Sequence, residues 1–176
     1  MTTANQDPKT LEDVSETIRQ VGRLAGTSEQ AEATARAFDA RLADFRQRYS
    51  ERPAITVYYQ IWNEPLLTLN GEHLISDVIR LCGGRNAFAD AMPLVSRISV
   101  ESVLATDPQV IVASGMDEAR PEWLDDWLAW PALTAVKEKQ LYYVPPDLLQ
   151  RHTPRIMDGA ALLCEHLESA RAVYSR

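Results

Sequence analysis

Two side chains of opposite charge, Asp147 and Arg151, lie four residues apart, directly after the apolar stretch 141–144. At this spacing a carboxylate and a guanidinium can form a local ion pair on one helical turn, which contributes roughly 0.2–0.5 kcal/mol. They can also offer one acceptor and one forked donor to a polar ligand. The spacing alone leaves both interpretations open.

A second group of candidate residues, Trp62, Glu64 and Pro65, follows the β-branched and aromatic stretch 55–60. An aromatic ring in such a loop commonly caps a hydrophobic core. If the loop faces the charged pair, the ring can instead form the apolar wall of a ligand pocket.

Glu101 lies in the first turn of a short helix that is predicted to begin at Ser99. A carboxylate there complements the positive end of the helix dipole. An exposed carboxylate can equally dock onto an arginine of a partner protein. The local sequence does not choose between these roles.

Catalytic and metal-binding patterns are absent from the sequence. His73, His152 and His166 are dispersed and do not have the spacing of metal ligands. G-x-S-x-G, P-loop and G-x-G-x-x-G motifs do not occur, so neither a nucleophile elbow nor a phosphate-binding loop is supported. We therefore expect no metal site and no cofactor. A small α/β enzyme that uses Asp147 as an acid or base remains an alternative, although no nucleophile–base pair supports it.

Composition restricts the classes of partner. The 176 residues carry 18 basic and 25 acidic side chains, and the resulting net charge of -7 repels nucleic-acid backbones. No apolar run approaches the roughly 20 residues that span a bilayer. Residues 1–8 are polar and lack the apolar core of a signal peptide. The chain is thus expected to be cytoplasmic, or to be exported by a signal outside this sequence.

Hydrophobic periodicity predicts helices over residues 9–24 and 27–49, with capping boxes at Thr10 and Thr27. Strands are predicted at 55–60, 110–113 and 141–144, and helices alternate with them along the rest of the chain. This alternation predicts an α/β fold with a mostly parallel sheet covered by helices on both faces.

In such sheets, ligands bind at the loops beyond the carboxyl ends of the strands. These loops are predicted at residues 61–70, 114–121 and 145–153. The two helices that precede the first strand have no sheet of their own. The two cysteines, Cys82 and Cys164, fit neither a four-ligand zinc pattern nor a C-x-x-C redox motif, and on composition alone two buried thiols are an equal possibility.

Several sequence runs resemble the C-terminal lobe of periplasmic cobalamin-binding proteins. They are residues 64–75 (EPLLTLNGEHLI), 81–88 (LCGGRNAF), 99–101 (SVE), 107–112 (DPQVIV), and Asp147 with Arg151, Pro154 and Arg155. The Gly-Gly-x-Asn portion is common to siderophore and haem binders of the wider class. The run over 64–75 is more specific and favours cobalamin.

The resemblance implies two α/β lobes joined by a long connecting helix, with the ligand held between the lobes. Residues 1–50 would be the end of an absent N-terminal lobe and the connecting helix, and residues 51–176 would be the C-terminal lobe. The ligand-binding residues implied by this likeness are Trp62, Glu64, Pro65, Leu67, Asp147 and Arg151.

By the same resemblance, the protein captures cobalamin and delivers it to an ABC importer in the periplasm, without catalysis. Glu101 would dock onto the permease, and Cys82 would pair with Cys164 in a disulfide. Cobalamin would be a transported ligand and not a cofactor. A ferric siderophore or haem is the alternative ligand, and the exposed cleft face is also a candidate surface for self-association.

Overall fold

The computed structural model describes residues 8–115 and 119–176. The elements, in chain order, are α1 (Leu11–Ala25), α2 (Ser28–Tyr49), β1 (Ile55–Trp62), β2 (Leu67–Leu69), α3 (Leu74–Leu81), β3 (Gly84–Asn86), β4 (Val95–Arg97), α4 (Val100–Thr106), β5 (Val110–Ala113), a 3₁₀ helix (Glu122–Ala129), α5 (Thr134–Lys137), β6 (Leu141–Tyr143), α6 (Pro146–Leu149) and α7 (Ile156–Tyr174). The predicted α/β class is confirmed.

The six strands form one sheet in the order β4-β2-β1-β5-β6, and β3 pairs with the first half of β1. β1 is parallel to β3 and β5, and β5 is parallel to β6. β2 is antiparallel to both β1 and β4. The prediction of parallel pairing therefore holds for β1, β5 and β6. The segment predicted as a loop at 61–70 instead turns back on β1 and adds an antiparallel edge.

Alternate residues of β1 point to two hydrophobic layers on opposite faces of the sheet. Val57 and Tyr59 join the core formed with α1, α2, α3 and α7. Tyr58 joins a second cluster, with residues of α4, α5 and the 3₁₀ helix, where its ring meets that of Trp127 edge-on at 5.8 Å. The prediction that helices cover both faces is confirmed.

The starts of α1 and α2 are stabilised in different ways. Thr10 and Asp13 form the predicted capping box at α1. Thr27 makes no side-chain cap at α2, so the second predicted capping box is wrong. The backbone ψ of Thr27 is 39°, outside the extended region that capping residues adopt. Its backbone closes the α1–α2 turn instead, because its N–H donates to the Gly22 carbonyl at 2.8 Å.

The first two helices share the core of the sheet. Leu11 and Val14 of α1 and Phe38, Leu42 and Phe45 of α2 are buried in the same cluster as β1 and α7. α1 and α2, although they precede the first strand, thus belong to the same helical layer as α7 on one face of the sheet. The division of the chain into residues 1–50 and 51–176 stays a prediction.

A disulfide joins Cys82, at the end of α3, to Cys164 in the middle of α7, with the two Cα atoms 4.8 Å apart. The predicted pairing is confirmed. The buried guanidinium of Arg171 lies beside it and donates to the Cys82 carbonyl at 2.6 Å and to the Pro53 carbonyl at 2.8 Å. The bridge and Arg171 together tie α7 to the start of the sheet.

Candidate functional site

A groove of about 490 Å³ opens at the edge of the sheet where β1 and β5 end. It matches the position predicted for ligands, beyond the carboxyl ends of parallel strands. Most of the side chains that line it are apolar or aromatic. Its lining residues are Ile61, Trp62, Leu67, Leu69, His73, Ile75, Val95, Gly115, Gln150 and His152.

Trp62 is the last residue of β1, and two hydrogen bonds hold it at the groove. Its indole N–H donates to the Glu64 carbonyl at 2.8 Å, and its own carbonyl accepts from the Gln60 amide at 3.3 Å. Gln60 is fully buried, and its Oε1 accepts from the Trp127 indole at 2.7 Å. A buried amide thus anchors the strand end from which the Trp62 ring, 38% exposed, reaches the groove. Trp62 therefore forms part of a pocket wall.

The antiparallel strands β2 and β4 supply the apolar floor. Leu67 and Leu69 come from β2, and Val95 comes from β4. Leu67, predicted as a ligand contact, lies in the groove next to Trp62, and ligand contact by either residue stays a prediction. The missed β2–β4 pairing is what places these side chains together.

Two of the predicted site residues lie on a different part of the surface. Glu64 lines a separate depression of about 220 Å³, together with Val100 and Trp130. Pro65 follows a cis peptide bond, is exposed, and lines neither depression. Their predicted roles in ligand binding are not tested by this geometry.

Asp147 and Arg151 form the local ion pair that their spacing allows, with Arg151 Nη2 and Asp147 Oδ1 3.0 Å apart. The Arg151 side chain is 67% exposed. Their neighbours Gln150 and His152, and not the pair itself, line the groove. Ligand contact by the pair stays a prediction. It requires a ligand that extends beyond the groove to its rim, where the ion pair lies.

His73 is a groove residue that the sequence analysis treated only as one of three dispersed histidines. It is the N-cap of α3, and its ring Nδ1 accepts a hydrogen bond from the Ile75 N–H at 3.1 Å. Burial lowers the pKa of His73, and the nearby imidazole of His152 lowers it further. A histidine directly before Leu74, the first residue of the helical apolar stripe, is the only sequence signal for this role, and serine, threonine or aspartate is the commoner cap.

We expect the free energy of unfolding to decrease as the pH falls below 6.5, the ordinary pKa of His73 and His166. Burial lowers the pKa of both imidazoles, so in this range the unfolded chain binds more protons than the folded chain. Urea denaturation at about pH 7.5 and about pH 5.5 measures the change. The variant His73→Ser/His166→Gln should show a smaller pH dependence, and an unchanged slope would contradict this assignment.

Glu101 lies on the outside of α4, as predicted. The hydroxyl of Ser99 caps α4 by accepting from the Ser102 N–H at 3.2 Å. The pKa of Glu101 is lowered, first by a hydrogen bond to its own backbone N–H and then by the Ser99 hydroxyl. Glu101 is therefore an exposed, ionised carboxylate, the form that an arginine of a partner would bind.

Within residues 8–115 and 119–176, no cluster of three or more His, Cys, Asp or Glu side chains could hold a metal ion. Among the helices of these same residues, none is both long enough and apolar enough to cross a membrane.

The family described as periplasmic binding protein matches residues 1–148. The vitamin B12-binding protein of Vibrio cholerae serotype O1 is 35% identical over 164 residues, which cover 93% of this chain and 58% of the relative. The vitamin B12-binding protein of Yersinia pestis is 31% identical and is covered over 56% of its length. The chain thus spans little more than half of these relatives.

The crystal structure of the periplasmic vitamin B12 binding protein BtuF of Vibrio cholerae superposes with a TM-score of 0.84 at 33% identity, covering 94% of this chain and 64% of that one. The periplasmic heme-binding protein RhuT from Roseiflexus sp. RS-1 superposes with a TM-score of 0.79 at 21% identity, covering 93% of this chain and 65% of RhuT. The second likeness shows a shared fold and nothing more specific.

Proposed function

Because this chain belongs to the periplasmic binding protein family, we propose that it is part of a solute-binding protein that captures cobalamin and delivers it to an ABC importer. The observation that carries the proposal is the apolar groove at the strand ends, in a chain 35% identical to a vitamin B12-binding protein. The site of action would be the periplasm, where such relatives work.

The groove suits capture and release, because none of its ten described lining residues is a Ser, Thr or Cys nucleophile. Its wall and floor are Trp62, Leu67, Leu69 and Val95, which match the hydrophobic body of a large macrocycle. The exposed Asp147–Arg151 pair at the rim would meet polar groups at the edge of the ligand. In this role cobalamin is the transported ligand, and none of its covalent bonds is made or broken.

Titration of the ¹⁵N-labelled chain with cyanocobalamin tests this function. The chain has four tryptophans, so the indole N–H signals are few enough to follow one by one. We expect the Trp62 signal to shift, because its ring lines the groove. The Trp127 signal should stay in place, because that indole is buried and bonded to Gln60, which makes it an internal control.

A ferric hydroxamate siderophore and haem provide the competing outcomes of the same titration. If either of them shifts the Trp62 signal while cyanocobalamin does not, cobalamin is the wrong ligand, but the proposal that the chain is part of a solute-binding protein is upheld. Turnover of any of the three compounds would contradict the class itself. Self-association through the groove face would appear as a concentration-dependent mass in sedimentation equilibrium.

Replacing Glu101 with alanine should weaken docking onto the permease and leave the fold unchanged. The carboxylate is exposed, and its hydrogen bonds are confined to the first turn of α4. The measurements are the urea midpoint and the affinity for the cognate importer reconstituted in nanodiscs. Glu29→Ala is the matched control, since Glu29 is an exposed first-turn carboxylate of another helix. Equal docking by both variants would reduce Glu101 to a helix-end charge.

A further inference from the structure

The cap of α3 fixes the proton of the His73 ring. Nδ1 accepts the Ile75 N–H at 3.1 Å, so in the neutral imidazole the proton resides on Nε2. Burial and the neighbouring His152 keep the pKa of His73 below its ordinary value, which favours the neutral form. With Nδ1 committed to the helix, Nε2–H is the polar group of the ring that stays available, and the His73 side chain lines the groove. The same tautomer leaves Nε2 without a lone pair, so this ring is not positioned to ligate a metal.

Gln150 supplies a neutral hydrogen-bond acceptor in the same groove. One end of its amide is held by Ser114, because Gln150 Nε2 donates to Ser114 Oγ at 3.2 Å. Ser114 is fully buried at the end of β5, which fixes this anchor. No residue that the structure describes donates to the amide oxygen of Gln150. The groove therefore combines a neutral donor and a neutral acceptor.

Permanently charged side chains are absent from the described lining of the groove. None of the ten lining residues is Asp, Glu, Lys or Arg. The nearest cation along the chain, Arg151, is exposed and paired with Asp147. A carboxylate that entered this apolar groove would lose its hydration without gaining a cation, which is costly. A primary amide needs one donor and one acceptor, and the groove offers both.

We propose that His73 and Gln150 form a recognition site for an uncharged amide of the ligand, so that the groove selects a macrocycle with amides at its periphery over one with carboxylates. This inference rests on the proposed function and specifies the chemistry of the ligand surface that the groove contacts. His73 donates Nε2–H to the amide oxygen, and Gln150 accepts from the amide nitrogen.

Two corrins test the selectivity of the groove. Dicyanocobinamide carries amides at its periphery, and dicyanocobyrinic acid carries carboxylates there. The titrations are run in about 0.5 M salt, which screens the repulsion between the acid and the acidic protein. We expect the amide corrin to bind on the order of tenfold more tightly, because the acid pays for desolvation of its carboxylates. Equal affinities would overturn the selectivity.

Variants test the two residues. His73→Ser keeps an oxygen cap for Ile75 and removes the groove donor, and we expect about fivefold weaker binding of dicyanocobinamide. Gln150→Ala should cost a similar factor, and the double variant should lose less than the product if both residues bind one amide. His166→Gln, outside the groove, is the control and should bind normally.

The tautomer gives a readout that does not depend on affinity. A long-range ¹H–¹⁵N spectrum of the free chain should show His73 protonated on Nε2 at about pH 7.5. A proton on Nδ1, or normal corrin binding by His73→Ser, would overturn the amide site while the Trp62 response still upholds the proposed function. If no corrin shifts the Trp62 signal, even after the N-terminal lobe of the Vibrio cholerae relative has been joined to the chain, the proposed function has failed, and the amide site fails with it.

Discussion

Replacing both Cys82 and Cys164 with alanine is expected to lower the free energy of unfolding by about 4.5 kcal/mol. The bridge closes a loop between residues 82 positions apart, and in the chain-entropy model a loop of this length constrains the unfolded chain by that amount. Both cysteines are fully buried in the core that α3 and α7 share, so the variant also loses some packing there. This would be a large part of the stability of a domain of this size.

Urea denaturation of the wild type and the double variant gives the difference directly. A reducing agent should lower the midpoint of the wild type and leave that of the variant unchanged, which separates loss of the bridge from loss of packing. Thiol counting on the oxidised, unfolded wild type should find no free thiol. Two free thiols, or a loss below about 1 kcal/mol, would contradict the expected stabilisation.

The sequence was sufficient for the elements that carry a strong pattern of their own. The stripe through Phe38, Leu42 and Phe45 specifies a helix whatever the surroundings, and α2 follows it. The β-branched run at 55–60 gave β1, and Val110–Ala113 gave β5, because buried parallel strands are continuously apolar.

The antiparallel edge could not be predicted in this way. β2 and β4 have three residues each, too few to show a period, and they are strands because β2 pairs with β1 and β4 pairs with β2. The failed cap at Thr27 has a similar origin, since the packing of the α1–α2 turn sets its backbone angles.

The candidate site, too, could be predicted from the sequence only in part. The Asp147–Arg151 ion pair depends on residues four apart, so the spacing was enough to anticipate it. The groove depends on β2, β4 and the residues after α6, which meet only in the folded chain. Gln150 and the donor role of His73 therefore emerged from the structure and not from the sequence.

The 176-residue chain alone is expected to bind cyanocobalamin with a Kd in the millimolar range or weaker, and about a hundredfold or more tightly once a second lobe is joined to it. The groove is open to solvent on one side, and this chain spans 58% of the Vibrio cholerae relative. Association costs roughly 4–15 kcal/mol in lost translational and rotational freedom, so a ligand held on one face retains little net affinity. Contacts on the second face are added without a second association cost, which is why the expected gain is large.

A fusion of the N-terminal lobe of the Vibrio cholerae relative to this chain tests the expectation. Absorbance-monitored titration of the fusion, and NMR titration of the chain alone, give the two dissociation constants. Trp62→Ala should weaken binding in the fusion, because that ring forms the wall of the groove, whereas Trp123→Phe, outside the groove, should not. Micromolar binding by the chain alone would mean that this groove captures the ligand unaided, and capture between two lobes would then be the wrong mechanism for this protein.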